Sequence, residues 1–260
     1  MGGAAEIGLP GGVTLLRAPN PGPMTLEGTN TWLLSTPAGS VVAIDPGPLD
    51  DGHLASIAER APIAAILVTH GHADHVEGAA KLSRLVGGAP VRAADPRNCV
   101  GSAPLTPGPL DEDGLRLEVL ATPGHTADSV CFVLPDAVFT GDTILGRGTA
   151  VVTHPDGDLG AYLDSLAVLS SYPRILLPGH GPVGADCAAV ARTYLAHRRE
   201  RLAQVRAAVA AGADTPEEVV DAVYADIDPR VRFAAVQSVR SQLDFLRRES
   251  HAHPEQLDPL

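Results

Sequence analysis

The sequence is poor in cysteine, in aromatic residues and in positive charge, and each shortage excludes a class of protein. Three cysteines in 260 residues, none in a Cys-x-x-Cys pair, exclude a thioredoxin motif and a cysteine zinc knuckle. Aromatic residues make up 3% of the chain, which argues against an extended platform for stacking bases. The formal net charge of −12 argues against a protein that grips nucleic acid through a broad basic face.

Long hydrophobic runs are also missing. The run APIAAILV (61–68) is far too short to cross a bilayer, and residues 1–12 have neither the basic nor the apolar region of a signal peptide. We therefore expect a cytoplasmic protein with no membrane partner. What the chain has in quantity is 45% hydrophobic residues together with 27 glycines and 23 prolines, which is typical of a folded, loop-rich enzyme.

Short apolar runs separated by Gly and Pro predict the strands of the first 180 residues. The predicted strands are 13–18, 30–36, 40–45, 64–69, 115–121, 129–134, 137–140 and 174–177. The predicted helices between them are 51–61, 75–86 and 158–172. Because the strands cluster and do not alternate strictly with helices, we expect an α+β fold in which outer helices cover the sheets.

The pattern changes to helices near Asp186. A long predicted helix (186–211) ends at Gly212, a second begins at Thr215 with a capping box to Glu218, and a third runs from Pro229 to about residue 249. We therefore predict a main domain of residues 1–196 and a small helical domain of residues 197–260. Acidic residues are interspersed among its arginines, so we interpret these helices as a solvated or packing surface.

The segment ILVTHGHADHVEGA (66–79) carries the strongest chemical signal. His70, His72, Asp74 and His75 follow directly after a predicted strand. They cannot all fill a core, because burying unpaired imidazole and carboxylate groups is costly. These groups are ligands that zinc selects. In a tight turn, His70 and His72 can converge on one ion while Asp74 and His75 point to another.

Three further candidate ligands follow apolar runs at glycine-containing turns: His125 in TPGHT, Asp142 in GDT and His180 in PGHG. Glycine lets the backbone approach closely and turn the next side chain into a site. The candidates form one set of three histidines and one set of an aspartate with two histidines. Asp142 is left as the natural bridge between two ions.

The order His-x-His-x-Asp-His, followed by these three residues in their contexts, resembles the metallo-β-lactamase superfamily. TNTWLL (29–34), AIDPGP (43–48), LPGHGPV (177–183) and AHRRERLAQV (196–205) are similar to its branch of hydrolases with a winged-helix-like C-terminal domain. That branch includes a mitochondrial endoribonuclease, and its close relatives include polyketide thioesterases. The resemblance implies an αββα sandwich of two mixed β-sheets covered by helices. The tail after Glu249 has no hairpin pattern, so we expect the helical domain without its wing.

The resemblance also implies the role of each ligand in a centre of two zinc ions per chain, which other divalent metals would suit as well. The first ion is assigned to His70, His72 and His125, the second to Asp74, His75 and His180, and both to Asp142. A hydroxide shared by the ions would attack a carbonyl carbon or a phosphorus. Asp74 is the predicted catalytic residue, which orients this nucleophile or carries its proton.

Four other residues near these motifs are candidates for supporting roles. We interpret Thr126 and Asp128 as partners that hold ligand imidazoles, since metal sites usually need such partners. Asp45 either does the same or shapes its turn. His154 follows the loop ILGRGTAVVT and is a candidate for contacting the substrate.

The bond that is cut stays open between two main alternatives. We favour a phosphodiester of single-stranded RNA, although the acidic charge weighs against tight RNA binding. The alternative is the thioester of a small molecule, in the manner of glyoxalase II or an acyl-thioesterase. A β-lactam is disfavoured because lactamases of the superfamily generally place Cys or Ser where this chain has Asp142. The intact ligand set disfavours a nucleic-acid-binding regulator with a relic site. A homodimer formed through the C-terminal domain stays open.

Overall fold

Two five-stranded β-sheets lie face to face between layers of helices in the computed structural model, which describes residues 7–252. The first sheet runs in chain order: β1 (Val13–Arg17), β2 (Asn30–Ser35), β3 (Val41–Ile44), β4 (Ile63–Leu67) and β5 (Val91–Arg92). The pairs β1–β2 and β2–β3 are antiparallel, and β3–β4 and β4–β5 are parallel. This sheet is therefore mixed.

The second sheet is mixed as well and runs in reverse chain order. From one edge to the other its strands are β10 (Ile175–Pro178), β9 (Ala137–Gly141), β8 (Val130–Val133), β7 (Leu115–Ala121) and β6 (Gly108–Glu112). The pair β10–β9 is parallel and the other pairs are antiparallel. Sequence patterns did not predict β5 and β6. Both are edge strands, the first only two residues long and the second, GPLDE, rich in residues that strands disfavour.

The helices complete an αββα sandwich, which confirms the predicted fold class. Their bounds are α1 (Asp51–Ala58), α2 (Ala73–Val76), α3 (Ala79–Leu85), α4 (Leu159–Leu169), α5 (Cys187–Ala210), α6 (Pro216–Val223) and α7 (Arg232–Ala252). Two short 3-10 turns cover Pro96–Asn98 and Pro229–Val231. The helix predicted over 75–86 is divided into α2 and α3, because Gly78 is a poor helix former. Within residues 7–252, no helix is both long enough and apolar enough to span a membrane.

Successive side chains of β2 point to opposite faces of the first sheet, so that each face packs against a different layer. Trp32 and Leu34 point into the core between the two sheets, whereas Leu33 points to the outer face beneath α1 and α3. The Trp32 ring meets Phe139 of the second sheet edge-on, with 5.9 Å between the ring centroids. On the far face of the second sheet, side chains such as Tyr162 of α4 fill the layer beneath α4 and α5.

The C-terminal part of the described chain is helical. The second half of α5 packs with α6 and α7 around a separate core that includes Val205, Val219, Val220 and Val239. Helix α5 runs without a break through residues 196 and 197, so the predicted domain boundary lies inside it. The division into 1–196 and 197–260 stays a prediction. Most of the tail on which the wing depends lies outside the described residues.

Candidate metal centre

The predicted ligands meet at one edge of the sandwich, where strands of both sheets end. The segment after β4 carries four of them, with His70 and His72 in the turn and Asp74 and His75 in α2. The turns after β7, β9 and β10 carry one each. Three triads place their ligand atoms within 4.8 Å of one another: His70–His72–His125, Asp74–His75–His180 and His70–His75–Asp142. The structure thus brings all seven side chains together, although they come from positions up to 110 residues apart in the chain.

In the first set, three imidazoles converge on one point. Nδ1 of His72 lies 3.0 Å from Nε2 of His70 and 3.1 Å from Nε2 of His125. A ring nitrogen carries one proton or one lone pair, so hydrogen bonding within the set cannot satisfy all three nitrogens. Burial lowers the pKa of His70 and lowers that of His125 to about 4, which keeps both rings in the neutral form that binds metals.

In the second set, two imidazoles face two carboxylates. Nε2 of His180 lies 3.2 Å from Nε2 of His75 and 3.1 Å from Oδ2 of Asp74. Asp142 stands between the sets, with Oδ1 3.5 Å from Nε2 of His75 and Oδ2 3.8 Å from Nε2 of His125. Asp142 thus contacts histidines of both sets, which is the position a bridging ligand requires.

The environment of Asp142 fits a cation. Burial opposes ionisation of this carboxyl, but His180 and His75 outweigh it and hold the pKa of Asp142 well below its usual range. Its Oδ1 is buried and has no hydrogen-bond partner among the described residues. A Cβ on Gly179 would lie 2.5 Å from this oxygen, so the glycine at this position leaves space beside the carboxylate. A buried, unpartnered carboxylate oxygen among imidazoles is the donor set that a divalent metal ion satisfies.

Other groups hold the ligand imidazoles from behind. Nδ1 of His75 donates to Oδ2 of Asp45 over 2.8 Å, and Nδ1 of His125 donates to the Val151 carbonyl over 2.5 Å. These bonds leave Nε2 of each ring free to face the centre. Asp45 also accepts from the backbone and hydroxyl of Thr69 at 2.8 and 2.7 Å, so it both orients His75 and shapes the turn. Both roles left open for Asp45 by the sequence therefore apply.

The other predicted supporting residues, Thr126, Asp128 and His154, do not hold the ligand imidazoles in the described chain. Thr126 donates to Asp128 over 2.7 Å, and within residues 7–252 neither side chain forms a hydrogen bond to a ligand imidazole. The interpretation of these two as imidazole partners was therefore wrong, because they bond to each other and Thr126 bonds to Ser129. His154 is exposed and lines neither of the two cavities at the centre. Its contact with substrate stays a prediction.

Two cavities are lined in part by residues of the centre. A cavity of about 290 Å³, here called the C-terminal groove, opens at His125 and Asp142 and runs between the loop after β9 and the C-terminal helices. Its apolar lining includes Met24, Leu26, Leu145, Ile227, Val231 and Ala235. A polar pocket of about 430 Å³ opens beside His72, and its lining includes Asp95, Arg97, Asn98, Asp128 and Asp156.

Sequence reasoning missed Arg198, which also lines the C-terminal groove and is 4% exposed. The arginines of this helix were interpreted as surface or packing residues without singling one out. A signal was present, because Leu195 and Leu202 lie three residues before and four residues after Arg198 and are both buried. Residues at this spacing share one face of a helix, so Arg198 belongs to the buried face of α5.

Comparisons with known proteins agree with this architecture. A family model described as the metallo-beta-lactamase superfamily matches residues 24–96. The chain is 34% identical to the atrochrysone carboxyl ACP thioesterase of Aspergillus chevalieri, over 86% of this chain and 77% of that protein. It is 31% identical to the beta-lactamase-like protein 2 homolog of Caenorhabditis elegans, over 90% of this chain and 83% of that protein. A beta-lactamase domain protein from Burkholderia ambifaria has the same fold, with a TM-score of 0.79 at 20% identity over 94% of this chain and 88% of that one.

Proposed function

Because the chain belongs to the metallo-β-lactamase superfamily, and is therefore a metal-dependent hydrolase, we propose that its substrates are acyl thioesters. The relative named a thioesterase supports this choice of bond. The observation that carries it is the apolar C-terminal groove, which ends at His125 and Asp142 and would hold an acyl chain with its carbonyl at the centre.

The same groove suits RNA poorly, because Arg198 is the one arginine in its described lining without a carboxylate partner, and a single cation cannot follow a chain of phosphates. Single strands are bound by free cations along the backbone and by open aromatic faces under the bases. Here the ring of Tyr224 is covered by the guanidinium of Arg201, at 4.9 Å from the ring centroid. Arg147 at the rim is paired with Glu27. We therefore prefer thioester hydrolysis as the proposed reaction, and RNA hydrolysis stays a prediction to be tested beside it.

We assign two divalent ions to the centre, with zinc as the first choice because imidazole and carboxylate are its usual ligands. His70, His72 and His125 would hold one ion, Asp74, His75 and His180 the other, and Asp142 both. When bound, such ions polarise a carbonyl oxygen and lower the pKa of water to about 7.

Asp74 is the residue of this set best placed to handle a proton. Its side chain is 28% exposed, against 11% for that of Asp142, so it faces the space that substrate and water share. It would orient the attacking water and accept its proton. The water oxygen then bonds to the carbonyl carbon, the carbon–sulfur bond breaks, and the proton passes from Asp74 to the leaving sulfur.

A panel of three substrates tests the proposed function. Zinc-loaded protein should hydrolyse octanoyl-N-acetylcysteamine with a kcat/KM at least about a hundredfold above that for a single-stranded RNA oligomer or a chromogenic cephalosporin. Removing the metal with a chelator should abolish the activity, and adding zinc back should restore it. Faster cleavage of the RNA would overturn the proposal in favour of the phosphodiester. Full activity of metal-free protein would overturn the assigned centre.

Replacing Asp45 by asparagine should weaken metal binding about ten- to a hundredfold, because the variant loses the charge that orients His75. Asparagine tolerates the positive φ of 52° at this position. Competition with a chromophoric chelator measures the affinity. Asp113→Asn is the matched control, since Asp113 has a φ of 50° but accepts from Ser40 instead of a ligand histidine. Equal affinities for the two variants would contradict the role given to Asp45.

A further inference from the structure

Arg198 is a buried cation in the wall of the C-terminal groove. It lies near the middle of α5, and it lines the same cavity as His125 and Asp142. Its guanidinium stacks on the ring of Tyr162, at 5.2 Å from the centroid, and one amino group donates to the Ala150 carbonyl. These two contacts hold the group beside the groove.

This guanidinium has no counter-ion within residues 7–252. No carboxylate of the described chain lies within ion-pair distance of it, and its buried Nε has no acceptor. By contrast, Arg147, Arg206 and Arg248 each pair with a carboxylate. Burying a charge is costly unless it is paired, and the partners of this guanidinium are the Ala150 carbonyl and Tyr162, neither of which carries a negative charge at neutral pH. The part of the chain that the structure describes therefore supplies Arg198 with no anion.

We propose that Arg198 binds a carboxylate at the far end of the acyl group, so that the preferred substrates are mono-thioesters of dicarboxylic acids. This inference rests on the proposed thioesterase function. A dicarboxylic mono-thioester carries an anion, an apolar chain and a thioester carbonyl in one molecule. The groove offers Arg198, an apolar lining and the candidate metal centre. A planar guanidinium matches a carboxylate with two parallel hydrogen bonds.

A purely structural role for Arg198 makes a different prediction. The loop after β9 is held at Ala150 by Arg198 and at Val151 by Nδ1 of His125. If Arg198 did no more than fix this loop, its loss would disturb His125 and slow every substrate equally. If Arg198 binds the substrate anion, its loss instead slows hydrolysis of the charged substrates most. Paired substrates that differ only in charge therefore distinguish the structural role from the binding role.

The experiment compares ω-carboxyacyl thioesters of N-acetylcysteamine, from succinyl to suberoyl, with the methyl esters of the same carboxylates. At the best chain length we expect the wild type to prefer the free carboxylate by about tenfold or more in kcat/KM. Arg198→Met should lose most of this preference, because its kcat/KM for the free carboxylate should fall far more than its kcat/KM for the methyl ester. The matched control is Arg199→Gln, the exposed neighbour on α5, which should keep the wild-type preference.

Two results would overturn the inference while leaving the thioesterase function intact. One is a wild type that hydrolyses carboxylate and methyl ester equally well at every length. The other is an Arg198→Met variant whose kcat/KM falls equally for the carboxylate and the methyl ester, as a structural role requires. If that variant does not fold, Arg198→Lys replaces it. Lysine keeps the charge and loses the planar fork, and a preference as high as that of the wild type would then count against the inference.

A binding measurement keeps this test separate from the proposed function. Monomethyl adipate is titrated into metal-free protein by calorimetry, with dimethyl adipate as the neutral control. We expect the monoanion to bind about tenfold more weakly to Arg198→Met than to the wild type or Arg199→Gln. Equal binding to all three proteins would overturn the inference even if no thioester were hydrolysed. Loss of binding in Arg198→Met alone would support the anion site even then.

Discussion

Asp142→Ala is expected to lower kcat/KM for the thioester by at least about a thousandfold, which corresponds to about 4 kcal/mol of transition-state stabilisation. Asp142 is the one carboxylate that contacts histidines of both sets, and its Oδ1 is buried without a partner in the described chain. Its removal therefore affects both proposed ions at once. Steady-state hydrolysis and the metal content per chain, measured by plasma mass spectrometry, should fall together.

Asp136→Ala is the matched control for this loss. Asp136 is exposed in the turn before β9, five residues before β9 ends at Gly141, so its replacement should leave activity and metal content unchanged. An Asp142→Ala enzyme within tenfold of the wild type, or one inactive with full metal content, would contradict a shared ligand. The second result would leave Asp142 with a role toward the substrate only.

Gly124→Ala is expected to lower the free energy of unfolding by about 3 kcal/mol or more. A Cβ on Gly124 would lie 2.3 Å from Cα and 2.5 Å from the backbone nitrogen of Tyr162 in α4, and neither atom can move aside. The φ of +139° is in addition a conformation that a side chain disfavours. Thermal unfolding followed by circular dichroism should show a Tm lower by roughly 6–12 °C.

Gly87→Ala separates the two causes of this loss. Gly87 has a φ of +85° but open space around its missing Cβ, so its substitution should cost only the backbone preference, about 1–2 kcal/mol. If the free energy of unfolding fell equally in the two variants, the close approach of Gly124 to α4 would make no contribution to the loss. Gly124→Ala should also weaken metal binding, since the next residue is His125, whereas Gly87→Ala should not.

The strands and the seven candidate ligands were predictable because their signals are local. A strand of alternating burial such as β7 shows its period in the sequence, whereas β4, β9 and β10 show as short apolar runs, and each candidate ligand lies shortly after one of these strands. The edge strand β6 was not predictable, because its pairing with β7 compensates for a sequence that disfavours strands. The split of the predicted helix 75–86 shows the same limit, since one glycine decided it.

The roles of Asp45 and Arg198 depend on partners distant in the chain. Asp45 bonds to His75, thirty residues later, and nothing near AIDPGP indicates which residue its carboxylate will meet. Arg198 bonds to Ala150, forty-eight residues earlier. A charge in an Arg-rich helix is usually solvated, and only the packing of α5 on the second sheet makes this one buried. Tertiary contact decides both cases.

The unbroken course of α5 has a mechanical consequence. One rod of 24 residues carries both the layer that covers the second sheet and the core around which α6 and α7 pack. A helix without a glycine or proline in its interior is stiff, so α5 itself offers no hinge between the part that covers the second sheet and the part that packs with α6 and α7. We therefore expect the bulk of lining side chains such as Met24 and Ile227 to set the width of the groove.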